Sequence, residues 1–222
     1  MRNILIVAAG VVAVAAIAAG VYFGTRPSSN GPTPVAAASP EAAALLAVQP
    51  GDHVLGKPEA PIAVVEYASF TCPHCAHFDT QILPKLKEKW IDTGKLKLVY
   101  RDFPLDDAAL KAAQLLECAG NERYFALVDF VFASQPKWAA TADPAAAIED
   151  LTKLLRVAGM SESFIKDCLA NDKFANTVLD RQRIGQQLGV DSTPTLFING
   201  QQFKGARSVE ELEGVFSKLL AK

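Results

Sequence analysis

Residues 62–75 read IAVVEYASFTCPHC, and the order of features in this stretch decides the fold. From residue 62 to residue 70 the side chains are β-branched, aromatic or small, and apolar on both alternating faces apart from Glu66. That is the pattern of a strand covered on both sides in the middle of a sheet. Cys72-Pro73-His74-Cys75 follows at once, and beyond it Phe78, Ile82, Leu86 and Trp90 recur at helical spacing. The chain therefore passes from a buried strand through a tight turn into a helix. Pro84 lies inside the helical pattern and predicts a kink near its first turns.

A Cys-x-x-Cys placed where a helix begins puts the first sulfur at the exposed N-terminus, near unpaired N–H groups and the positive end of the dipole. The second sulfur is buried one turn further in. Cys72 is accordingly expected to be an acidic thiol and Cys75 its resolving partner. Pro73, at an early helical position, gives up only an N–H that had no partner anyway. His74, when protonated, adds positive charge beside the thiolate. Stabilising the reduced thiolate makes the disulfide form more oxidising. The alternatives are an inert bridge or half of a zinc site. Zinc would need two further ligands from His74, His77, Cys118 or Cys168, and the sequence holds no second Cys-x-x-Cys or His pair at finger spacing. Redox chemistry without a metal or other cofactor is the expectation.

Glu66 stands six residues before Cys72 in an otherwise apolar strand. Burial would raise its pKa and let it exchange a proton with Cys75 as a mixed disulfide resolves. The alternative is a strand acid that reaches solvent or pairs with a lysine such as Lys97. His77 reads as a surface helix residue, and His53 carries no signal.

Working outward, residues 95–103 (KLKLVYRDF) alternate after Thr93-Gly94 and form a second strand, parallel to the first across the intervening helix. From about 106 to 188 the pattern is helical. One segment starts near Asp106 and ends at Gly120, a second covers residues 123–133, and a third has Asp143 as N-cap, Pro144 at its first position and Gly159 past its end. A fourth begins at Ser161, carries Cys168 and gives way to residues 174–188. Such a block is too large for a loop and must pack as a helical subdomain. Strands return at residues 195–198 and 201–204 around the hairpin dipeptide Asn199-Gly200. Ser208 with Glu211 is a capping box for a last helix bearing Leu212, Val215, Phe216 and Leu219. Helices therefore cover both faces of a mixed sheet, an α/β architecture over residues 51–222.

Half of the 222 residues are hydrophobic, and Lys+Arg 22 against Asp+Glu 24 leaves a formal charge of −2. A disordered tail protein is excluded, and no basic excess recommends a nucleic-acid partner. Residues 4–24 carry no charged side chain behind Arg2. The length suits an N-terminal membrane anchor with its start in the cytoplasm, and Ala and Gly would also offer cleavage sites to a signal peptide. Either way the remainder is exported. Residues 25–50 turn to Pro, Ser, Gly, Asn and Ala, with a short helical stretch at 41–48, and read as a flexible linker.

VVEYASFTCPHC, the later STPTLFING, the opening LGKPEAPIAVVEY and the segment RDFPL together resemble the DsbA branch of the thioredoxin superfamily, over essentially residues 51–222. The resemblance implies a thioredoxin fold with an inserted helical subdomain at about 106–188. It implies an activity too: donation of the Cys72–Cys75 disulfide to reduced, newly exported proteins, with reoxidation by a quinone-linked membrane partner resembling DsbB. It makes Thr193-Pro194 a cis-proline loop opposite the cysteine pair, shaping the groove for substrate backbone, and Glu66 the buried acid. Thr193 departs from the best-known oxidases, which carry Val there, and Thr also occurs in isomerases. In an oxidising compartment two leftover cysteines usually pair, and Cys118 with Cys168 is the connectivity that leaves Cys72 and Cys75 free to cycle; buried free thiols are the alternative.

The expected activity is that of a dithiol oxidase acting as a monomer. Its rivals are an isomerase or reductase, whose cycle begins from reduced Cys72, and a tethered module that binds unfolded chains beside Pro194. The last would tolerate Ser at both Cys72 and Cys75.

Overall fold

The alternation in residues 62–70 is realised as strand β2 (Ile62–Ala68), which lies at the centre of a five-stranded sheet in the computed structural model, where residues 39–205 and 207–221 are described. Strand β3 (Leu96–Asp102) runs parallel to it, with Val64 opposite Leu98 and Glu66 opposite Tyr100. Strand β4 (Thr195–Ile198) runs antiparallel on its other side, with Glu66 opposite Leu196. Strand β5 (Gln201–Gln202) extends that edge through Asn199 and Gly200, both at positive φ as a tight hairpin turn requires. Strand β1 (His53–Leu55) pairs antiparallel with β3 at the opposite edge. Three residues are too few for periodicity to register, so β1 has no sequence signal.

Paired residues share a face, so the period of two sorts the sheet's chemistry. Val64, Leu98, Leu196 and Ile198 face the helix that follows β2, while Val65, Tyr67, Val99 and Phe197 face the other way. The first face is covered by helix α2 (Pro73–His77), a π turn (Phe78–Ile82), helix α3 (Leu83–Leu86) and a second π turn (Lys87–Ile91). The kink expected from Pro84 takes the form of the first π turn. Pro84 has no N–H for the carbonyl four residues back, and the chain widens ahead of it so that Leu83 N–H donates to Phe78 O.

The helical block comprises α4 (Asp107–Ala119), α5 (Asn121–Ala133), α6 (Gln135–Trp138), α7 (Pro144–Val157), α8 (Glu162–Leu169) and α9 (Asp172–Gln187). The polar N-caps read from sequence are in place. Asp106 accepts from Ala109 N at 2.8 Å, Asp143 from Ala145 N at 3.0 Å and Ser161 from Phe164 N at 3.2 Å. The last helix, α10 (Val209–Leu220), starts at Ser208, which accepts from Glu211 N, and buries Leu212 and Phe216 on the α2 face of the sheet.

The linker reading of residues 25–50 needs a correction in its second half. Helix α1 (Pro40–Leu46) is capped by Ser39 and buries Leu46 against Val65, Tyr67 and Val99. It is held by Arg101, 1% exposed, which donates to Leu45 O at 2.6 Å, Ala47 O at 2.8 Å, the Tyr67 hydroxyl and both carboxylate oxygens of Asp52. An Ala-rich stretch between prolines has a spacer's composition, but a buried guanidinium needs every one of those acceptors. Residues 4–24, read as anchor or signal, lie outside the described residues, and no described helix is long and apolar enough to cross a membrane.

Candidate active site

Cys72 is the N-cap of α2, with extended backbone, and Pro73 opens the first turn. Both cysteines are free thiols. Cys75 is completely buried beneath that turn, whereas Cys72 keeps 5% of its surface and its Sγ donates to Thr193 O at 3.4 Å. The Cys72 thiol is pulled down to about 5. The hydrogen bond from Cys75 is the largest cause; burial opposes it, and Thr193 and the backbone N–H groups of Cys75 and His74 assist. Burial, with the bond to Cys72 and the charge of Glu66 added, pushes Cys75 far above the ordinary thiol range. One sulfur is thus held as an anion and its neighbour as the proton donor to it. His74 acts on Cys72 through its backbone; its imidazole and that of His77 are exposed.

The loop before β4 closes the site. The Thr193–Pro194 peptide bond is cis, and Thr193 Oγ1 is buried with no hydrogen-bond partner among the described residues. Gln135, which sequence reasoning missed, fixes the turn from the helical side: its buried Nε2 donates to Phe70 O at 2.7 Å and Cys72 O at 3.0 Å. A lone Gln after a helix carries no signal that it will reach back across 63 residues.

Glu66 is 2% exposed on the face that carries Val64 and Ala68, under α2. Burial raises its carboxyl well above the usual range, Asp79 adds to the rise and Arg207 opposes it. The alternative partner Lys97 is on the other face and donates to Pro58 O. Cys72, Cys75, Glu66 and Thr193 therefore converge. Cys118 and Cys168 do not; they are bonded to each other within the helical block, Cα atoms 5.9 Å apart. Bonded to each other, Cys118 and Cys168 are not available to Cys72 and Cys75 as metal ligands.

A second buried polar cluster had no sequence signal. His53 stacks on Tyr124, with centroids 3.3 Å apart, and bonds Glu117 Oε1 at 2.8 Å. Arg181 from α9 reaches Glu117, Asp102 and Gly51 O. Burial and then Glu117 push Asp102 up, against the pull of Arg181. The cluster fastens β1 and β3 to α4 and α9, and it is a joint between sheet and helical block rather than part of the thiol site.

A family model described as Thioredoxin matches residues 48–218. A Rickettsia bellii protein provisionally named a protein-disulfide oxidoreductase is 35% identical over 157 residues, covering 70% of this chain and 60% of that protein. The chain thus spans about 60% of the length of such curated relatives. Among solved structures, Wolbachia pipientis alpha-DsbA1 superposes with a TM-score of 0.75 at 32% identity, over 81% of this chain and 96% of that one. A protein-disulfide isomerase from Novosphingobium aromaticivorans superposes at 0.70 with 26% identity, over 78% and 99%.

Proposed function

The chain belongs to the DsbA-like branch of the thioredoxin family, and on that premise we propose that it is a thiol:disulfide interchange enzyme that introduces disulfide bonds into exported proteins. The observation that carries this reading is the division of labour between two sulfurs: Cys72 titrating at about 5 above a Cys75 that stays protonated. In the oxidised protein a substrate thiolate attacks Cys72. The substrate–Cys72 bond forms, the Cys72–Cys75 bond breaks, and Cys75 leaves as a thiolate that takes a proton from Glu66. A second substrate thiolate then attacks the substrate sulfur, and Cys72 leaves as the comfortable anion. The substrate loses two electrons and the protein gains them. Thr193 and Pro194 present the edge along which substrate backbone lies.

Reoxidation is assigned to a DsbB-like, quinone-linked membrane partner. Residues 4–24 serve as anchor or signal, placing residues 40–221 outside the cytoplasm, and the protein works as a monomer. Thiolate absorbance against pH tests the core of the reading: a midpoint near 5 is expected for Cys72, and one near the ordinary value of 9 overturns it. Glu66→Gln should slow formation of reduced Cys75, and an unchanged rate removes its proton role. Thr193 and the likeness to a solved isomerase favour one second reading, in which the cycle begins from reduced Cys72. Reactivation of a scrambled substrate by reduced protein, without a redox buffer, would select it.

A further inference from the structure

Phe125, Asp129 and Ala133 recur every four residues along α5 and so lie in one stripe, which faces the rod made by α2, the π turns and α3. Between stripe and rod is a cavity of about 350 Å3, with Leu55 of β1 also in its wall. That is the size of a small-molecule site and far more than the space of one water. Neither cysteine of the catalytic pair lines it, nor do Thr193 and Pro194, so it is separate from the thiol site. Leu55, Leu83, Pro84 and Phe125 make most of its surface apolar.

The polar groups of the lining are unequally supplied with partners. Thr80 Oγ1 donates to Ala76 O at 2.6 Å, and Lys87 Nζ donates to Asp92 at 2.7 Å, so both are engaged elsewhere. The Asp79 side chain, on the first π turn and 6% exposed, makes no hydrogen bond or ion pair among the described residues. A buried carboxyl without a donor is costly unless something in the cavity answers it. The exposed Asp129 brings a second carboxyl to the same space. A guest that fits these walls carries positive charge, N–H donors and an apolar body. A calcium ion would need six or more oxygens, and the described residues hold no group of three or more His, Cys, Asp or Glu placed to bind a metal.

We propose that this cavity is a binding site for a small aliphatic diamine in its doubly protonated form, with one ammonium on Asp79, the other on Asp129, and the chain between them against Leu83, Pro84 and Phe125. The site stands whether or not the disulfide-exchange reading does. A primary ammonium offers three N–H donors to a carboxylate that can only accept, and the methylene chain suits the apolar walls. The aromatic face of Phe125 adds attraction for a cation. Binding at Asp79 is linked to a proton. Burial, with the charge of Asp129 added, brings Asp79 up to about 7, and the ammonium needs its carboxylate, so binding near neutrality releases the Asp79 proton to solvent. Affinity is therefore full above pH 7 and falls as pH drops through it. The titratable groups around Asp79 are Asp129 on α5, Lys87 on the second π turn and Glu66 on β2.

The test is calorimetric titration of the full chain with cadaverine, whose two amines stay charged from pH 6 to 8. One-to-one binding with a Kd below about 1 mM is expected at pH 8. It should be about tenfold weaker at pH 6, where comparison of buffers of different ionisation enthalpy should show about 0.9 proton released per ligand. Asp79→Asn, close to isosteric, should weaken binding by at least about tenfold and remove its pH dependence. Asp129→Asn should bring cadaverine down to the affinity of pentylamine, and pentanol should not bind. Absence of cadaverine binding, binding unchanged in Asp79→Asn, or equal affinities for cadaverine and pentylamine overturn the proposal. Calcium binding that is lost in Asp79→Asn, without any binding of cadaverine, overturns it in favour of a metal site. Should Asp79→Asn not fold, the wild-type proton count decides: release at pH 6 supports the site, and its absence overturns it.

Discussion

Titrating Cys72 should change the protein's redox poise with a slope that the site geometry dictates. In the reduced form Cys72 is a thiolate above about pH 5, while Cys75 stays protonated throughout. The disulfide form binds neither proton. Reduction therefore takes up two electrons with one proton above pH 5 and with two protons below it. Each proton is worth about 30 mV per pH unit in a two-electron couple. The potential should fall by about 30 mV per unit from pH 5 to 8 and by about 60 mV per unit below pH 5. Stability follows the same titration. The folded value lies below the ordinary value of 9, so the thiolate's contribution to the reduced fold is complete only above pH 9 and is lost as pH falls through 5. At pH 7 the unfolded thiol is still protonated. The contribution there is about 1.4 kcal/mol for each unit between 5 and 7, a little under 3 kcal/mol, against a few tenths at pH 5. Urea unfolding of the reduced and oxidised proteins should show the reduced form gaining about 2 kcal/mol on the oxidised form between pH 5 and 7. A gap independent of pH, or a uniform slope of 60 mV per unit, would refute the assignment of an anionic Cys72 over a protonated Cys75.

Thr193→Val removes a buried hydroxyl that favours the thiolate; the Cys72 midpoint should rise by about one unit and the couple become less oxidising by roughly 30 mV, and an unmoved absorbance titration contradicts this. Cys118→Ala with Cys168→Ala opens a cross-link spanning 50 residues, which should lower the urea stability by about 4 kcal/mol from chain entropy alone while exchange at Cys72 continues. Gln135→Met keeps the volume but strips two carbonyls of a buried donor. Cys72 O retains Ala76 N at 3.1 Å and Phe70 O keeps no backbone donor among the described residues, so a loss of about 2 kcal/mol is expected, and one below about 0.5 kcal/mol would show that water replaces the amide.

Sequence was most informative where local chemistry dictates local geometry. The strand–Cys-x-x-Cys–helix order, the caps at Asp106, Asp143, Ser161 and Ser208, and the Asn199-Gly200 hairpin each follow from residues within a few positions of one another. The central strand was legible because apolar residues occupy both of its faces, and Glu66 stood out against that background. What could not be read depends on partners far along the chain. His53 meets Glu117 across 64 residues, and Arg101 meets Asp52 across 49. Asp79 has the sequence context of an exposed helix position. Only the approach of α5 and the turn's π geometry bury it. Residues 40–46 read as spacer for the same reason: their anchor is a guanidinium on β3.

Burial of ionisable groups has opposite consequences on the two faces of this sheet, and the strand period places those consequences one residue apart. On one face Arg101 makes five hydrogen bonds, with Asp52, Tyr67, Leu45 O and Ala47 O as acceptors. Every donor direction it uses is answered, so its charge is fixed and its role is to hold α1. On the other face, Glu66 and the Tyr100 hydroxyl at the adjacent positions have no hydrogen-bond partner among the described residues. Burial without a partner raises an acid's pKa, and in the proposed exchange it leaves the Glu66 proton available to the leaving sulfur of Cys75. A one-residue slip of β2 against its neighbours would exchange Glu66 with Tyr67 and put the acid against Arg101, where it would ionise and stay ionised. Strand register therefore decides whether Glu66 lies unpaired beneath the cysteine turn or against Arg101, and the apolar residues that fix it, Val64 and Val65 among them, act on the proposed exchange without touching it.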